Sequence, residues 1–147
     1  MLFRSRRGDY QLTAFAKASR LSFFLWNTRP DPMLIEAAGK GELDKKQGLE
    51  KQVDRMLASS RHKDGVRAFF ADMLRLDGMD DLAKDTLIYP KFNSQVAAEA
   101  REQTLRTIEN VVLAKSGDYR DVFTTRRTFM TAGLASIYQV QIGRAHV

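Results

Sequence analysis

The segment from Asn93 to Val112 constrains this chain more than any other. Val96, Ala100, Thr104, Leu105, Ile108, Val111 and Val112 recur at the three- and four-residue spacing of one helix face, with Asn93 or Ser94 as the cap and Gly117 as the stop. A helix apolar along one stripe must lay that stripe on an apolar surface built by the rest of the chain. No run alternates long enough to predict a strand, so the surface should be helical too.

The other segments agree. Thr13 can cap a helix from Ala14 to about Trp26, with Phe15, Ala18, Leu21, Ser22 and Leu25 in a stripe and Phe23, Phe24 and Trp26 covering other directions. A helix apolar nearly all round at its end should be central. Pro30 disfavours helical geometry at Arg29, and Asp31-Pro32 opens a short helix ending near Gly39 or Gly41. Asp44 can cap a helix carrying Leu49, Val53, Met56 and Leu57 on one face, with Gly48 weakening its start modestly. Ser59 or Ser60 starts another, to about Leu76, that buries Val66, Phe69, Phe70, Met73 and Leu76. Two shorter helices should cover Tyr119 to Phe123 and Phe129 to Tyr138. The expected fold is all-α: an irregular bundle of about six to seven helices without a sheet, forming one domain over residues 1–141.

Composition excludes several classes. With 147 residues, 44% of them apolar and no cysteine, the chain is neither disordered nor a disulfide scaffold, and it holds no thiolate metal site or haem-attachment motif. The richest apolar run, Leu21 to Trp26, is far too short to cross a membrane. Lys and Arg total 24 against 18 acidic residues, a formal charge of +6. Basic and acidic residues interleave, and only Arg4/Arg6/Arg7 and Arg126/Arg127 are purely basic, so a salt-bridged surface is expected rather than a nucleic-acid face.

Reactive constellations are absent from the sequence pattern. His62 sits among Arg61, Lys63 and Asp64 as a surface histidine, and neither it nor His146 is spaced from a second ligand for metal binding. Asp77, Asp80, Asp81 and Asp85 fail the calcium-loop spacing, since Met79 and Leu82 stand where ligands are required. Gly39-Lys40-Gly41 matches no phosphate loop, and Glu99/Glu102 has nothing to separate it from a solvent-facing pair. Arg20, inside an apolar run, should snorkel to the surface or pair with a buried acid rather than bind an anion. No catalytic, cofactor or metal residue is assigned.

The run Tyr10 to Trp26 with its Ala-Ser-Arg-Leu-Ser-Phe-Phe-Leu-Trp block resembles the bacterial domain of unknown function 1592. Arg29 to Leu34, Gly41-Glu-Leu43, Val53 to Leu57, Phe69-Phe70, Tyr89-Pro90-Lys91-Phe92 and the closing Thr128-Phe129-Met130 with Leu134-Ala135 and Tyr138 extend the resemblance from about Leu2 to Val140. Many relatives carry Asn where this chain has Thr131. The resemblance implies a module of a large exported planctomycete-type protein of the periplasm or cell envelope. Its partners would be neighbouring domains of the same polypeptide, among them a c-type cytochrome whose haem lies outside this segment. It supplies no reaction and no catalytic residues.

Both ends are expected to be cut. Met1 reads as internal to a longer protein, and Ile142-Gly-Arg-Ala-His-Val147 is the translation of a common sequencing adapter, as in a metagenomic fragment. Three functions compete: a non-catalytic packing module, a contributor to an oxidative or hydrolytic active site shared with other domains, and a nucleic-acid binder through the basic excess.

Overall fold

A computed structural model describes residues 2–4, 10–114 and 118–141. Among them run six α-helices: α1 (Ala14–Trp26), α2 (Pro32–Gly39), α3 (Lys46–Leu57), α4 (Arg61–Met73), α5 (Ser94–Val112) and α6 (Ala132–Tyr138). Short 3-10 turns occupy Glu42–Asp44, Leu76–Met79 and Tyr119–Phe123. The all-α class holds, with one amendment to the expectation of no sheet. Strands β1 (Leu2–Arg4) and β2 (Tyr10–Leu12) pair antiparallel, Leu2 opposite Leu12 and Arg4 opposite Tyr10. Three residues per strand are too few for a period-2 pattern to register in sequence.

The chain divides into two compact units, Met1–Ala68 and Phe69–Val147. The core of the first joins Ala18, Leu25 and Trp26 of α1, Leu34, Ala37 and Ala38 of α2, Leu43, and Met56 of α3. Local signals set these helices. Thr13 Oγ1 accepts from Ala16 N at 3.2 Å, Asp31 Oδ1 accepts from Leu34 N at 2.9 Å, and Asn27 takes the left-handed conformation that ends α1. Fully buried Ala18 and Ser22 leave room for close packing against α1. The end of α1 is not enclosed as expected: Phe24 is 76% exposed and Phe23 58%, because burial follows the face carrying Ala18, Ser22, Leu25 and Trp26.

Asp44 does not cap α3. It lies in the preceding 3-10 turn, where its carboxylate receives Lys17 Nζ at 2.7 Å, and α3 follows an extended Lys45 with no side-chain cap. Gly48 and Gly65 are contact residues. A Cβ would come within 2.3 Å of the Glu42 carbonyl oxygen at Gly48, and within 2.1 Å of the Leu25 carbonyl oxygen at Gly65.

In the second unit α5 is the spine. Val96, Ala97, Leu105 and Ile108 are buried on it, and α6 and the turns at Leu76–Met79 and Tyr119–Phe123 pack against it. Asn93 is the cap, its Oδ1 accepting from Val96 N at 2.9 Å. Helix α4 ends at Met73 rather than Leu76, since Arg75 is left-handed, and its expected face is only partly enclosed: Phe70 is buried while Phe69 and Met73 are exposed. Helix α6 starts at Ala132 rather than Phe129, because Thr131 is the extended cap and the Phe129 carbonyl and Thr131 hydroxyl are bonded to Gln103 and Glu99 of α5. Gly117 and the tail 142–147, with His146, lie outside the described residues, as do Arg6 and Arg7.

Candidate functional site

In the first unit, the end of α1, the loop to α2 and the first turn of α4 enclose a cleft of about 590 Å³ lined by Trp26, Asn27 to Pro32, Arg61 and Asp64. Its floor is built from residues that hold one another. Trp26 is 3% exposed, and its indole Nε1 donates to the Met56 carbonyl oxygen at 2.9 Å, which fixes the ring. Arg55 and Arg61 place their guanidinium carbons 5.5 Å and 5.2 Å from the ring centroid, within cation–π range. Arg55 is engaged through all three of its nitrogens, donating to both oxygens of Asp31 at 2.7 and 3.0 Å and, through Nε, to Gln52 Oε1 at 2.8 Å.

The same Asp31 caps α2, so one carboxylate joins the start of α2 to α3. The Arg55 guanidinium holds its carboxyl below the ordinary value, against the opposing effect of burial and with help from the Leu34 amide. A two-point Arg–carboxylate pair at a helix start is a geometry in which an ion pair gains most.

In the second unit, α5 presents Gln95, Glu99, Gln103 and Thr107 at four-residue spacing, and this polar row grips the returning chain. Thr107 Oγ1 lies 3.0 Å from Thr128 Oγ1, Gln103 Nε2 donates to the Phe129 carbonyl oxygen at 2.7 Å, and the Thr131 hydroxyl donates to Glu99. The bond from Thr131, followed by that from Gln95, holds the Glu99 carboxyl below its ordinary value. Thr131 also caps α6 by accepting from Leu134 N at 3.2 Å. Arg106 covers the Phe129 ring at 4.6 Å.

The residues singled out in sequence do not gather at either place. Arg20 is exposed and makes no ion pair among the described residues, which leaves the surface reading and removes the buried-acid one. His62 is half-buried with Nδ1 3.4 Å from the Leu25 carbonyl oxygen, a brace between α4 and α1. Asp85 closes a local turn by accepting from Leu87 N at 2.8 Å, while Asp80 and Asp81 are exposed. No three His, Asp or Glu side chains converge to hold a metal among the described residues. Glu99 has a specific bracing task that its pairing with Glu102 did not reveal; the polar row on α5 was the available signal. Asp31, Arg55 and Trp26 were each visible in sequence, but nothing there linked them.

Fold and sites together define an all-α protein whose polar residues brace helices and loops. No helix among the described residues is long and apolar enough to cross a membrane. The chain belongs to the family described as "Protein of unknown function (DUF1592)", which it matches over residues 12–140. No curated protein and no solved structure matches it.

Proposed function

We propose that this chain is a packing module, without catalysis of its own, of a larger exported protein that carries a c-type cytochrome domain elsewhere in its sequence. The exposed apolar side chains support this reading most directly. Phe23 and Phe24 at the end of α1, and Leu87, Ile88 and Tyr89 in the loop before α5, are all more than half exposed. Large apolar side chains grouped at one place on a surface mark sites that another surface covers. The bracing roles of Asp31, Glu99 and Gln103 fit a framework module, and the family resemblance supplies the envelope and cytochrome setting.

The test is to express the chain with its natural flanking sequence and compare hydrogen exchange with that of the isolated chain. Slower exchange around Phe23–Phe24 and Leu87–Tyr89 in the longer protein is the expected result. Identical exchange at both places, in a full-length gene without an export signal or haem-attachment motif, would overturn the reading.

A further inference from the structure

The Trp26 cleft holds more positive charge than its own structure consumes. Five charged side chains border or support it: Arg29, Arg55, Arg61, Asp31 and Asp64. Arg55 and Asp31 cancel each other through two hydrogen bonds, and the remaining acceptor capacity of Asp31 is taken in part by the Leu34 amide. Arg61 acts on Asp31 through charge but without a hydrogen bond, which leaves the donors of Arg29 and Arg61 and the carboxylate of Asp64 at the cavity, two cations against one anion.

Neither Arg29 nor Arg61 has a guanidinium hydrogen bond or an ion pair among the described residues. Arg61 is nonetheless positioned. Its guanidinium lies on the ring of a tryptophan that is buried and anchored through Nε1, and Gly65, one turn further along α4, locks that helix against the Leu25 carbonyl. A guanidinium beside an aromatic ring keeps donors directed away from it, and its planar fork matches two oxygens of one ligand. Arg61 is exposed, and contact with the ring restricts its side chain and so lowers the freedom lost on binding.

We propose that this cleft is a binding site for a small oxyanion, a carboxylate or phosphate group, received by the fork of Arg61 with Arg29 as the second cation. Asp64 limits the charge accepted, so ligands of low charge suit the cleft better than polyanions. The site stands independently of the packing role, since it is built within one unit and uses none of the exposed apolar residues.

Trp26 is the single tryptophan and lines the cleft, so its fluorescence reports binding directly. The chain is titrated separately with acetate and with inorganic phosphate at constant ionic strength held by chloride. A saturable change with at least one of them is expected, weakened tenfold or more in Arg61→Gln and several-fold in Arg29→Gln, with unchanged unfolding midpoints. Arg61→Lys, which keeps the charge and loses the fork, should fall between wild type and Arg61→Gln. Which probe saturates identifies the oxyanion class. Non-saturating responses to both probes, or saturation that is the same in wild type, Arg61→Gln and Arg29→Gln, would overturn the proposal. Arg29 lies in the loop and bears on no core residue, so its variant carries the test if Arg61→Gln lowers stability.

Discussion

Gly65→Ala adds one methyl group where the main chain leaves no room for it. The new Cβ would lie 2.1 Å from the Leu25 carbonyl oxygen, 2.6 Å from the Leu25 carbonyl carbon and 3.0 Å from Trp26 N. Ordinary contact begins near 3.4 Å, so α4 and the end of α1 must separate by more than an ångström at this point. All three obstacles are backbone atoms, which no side-chain rotation relieves. Overpacking of this kind costs about 1–3 kcal/mol, and the short distances favour the upper part of that range. Helix propensity works the other way, since Ala exceeds Gly by about 1 kcal/mol inside a helix. The net expectation is a loss of about 1–2 kcal/mol. Gly39→Ala is the matched control: its Cβ would meet nothing within 4 Å and its backbone is helical, so a gain of about 0.4–1 kcal/mol is expected there. Urea unfolding followed by Trp26 fluorescence reads the unit that contains both positions. At this chain length each kcal/mol moves a thermal midpoint by roughly 3 °C, so the two variants should shift in opposite directions by measurable amounts. A Gly65→Ala protein as stable as the wild type would refute the close approach of α4 to α1 and the steric reasoning with it.

Other expectations follow from individual contacts. Asp31 has a lowered pKa in the folded state, so its stabilising contribution is complete above the ordinary value of 3.8 and lost as the pH falls through the folded value. Urea midpoints of the first unit should therefore decline below about pH 4, and Asp31→Asn should be less stable at neutral pH, by about 1–3 kcal/mol, with a shallower acid decline. An equally steep decline in the variant would remove Asp31 as its cause. Ser22 is fully buried and its hydroxyl has no hydrogen-bond partner among the described residues, so Ser22→Ala should match or exceed wild-type stability, whereas a clear loss would mean the hydroxyl is satisfied. Thr131→Ala removes the cap of α6 and should cost about 1 kcal/mol, while Thr131→Asn should stay within a few tenths. Amide exchange in the first turn of α6 distinguishes the two, and equal exchange in both variants would deny Thr131 its capping role.

Helix identity was legible wherever it depends on near neighbours in the chain. Thr13, Asp31 and Asn93 act as caps because a side-chain oxygen needs to reach only an amide three residues on. The stripe on α5 reads correctly for Val96, Leu105 and Ile108, since helical spacing alone places them on one side. The enclosure of other apolar faces did not follow, as Phe23, Phe24, Phe69 and Met73 show. Periodicity says which side chains share a face, but cover depends on what packs there. Gly48 and Gly65 read as weak helix residues for the same reason: their value lies in a backbone carbonyl brought close by the fold.

The amino-acid order by itself determined an all-α chain, the starts of α1, α2 and α5, the absence of thiol chemistry and the family to which it belongs. Tertiary structure alone decided that Asp31 receives Arg55 while capping α2, and that Thr131 reaches back to Glu99. It also decided that Trp26 carries two arginines beside its ring. Each of these pairs lies more than twenty residues apart in the chain. Local forces set φ and ψ over a turn or two, whereas a cleft requires distant segments to be held together, and the burial of apolar surface that holds them is insensitive to which polar groups it brings face to face.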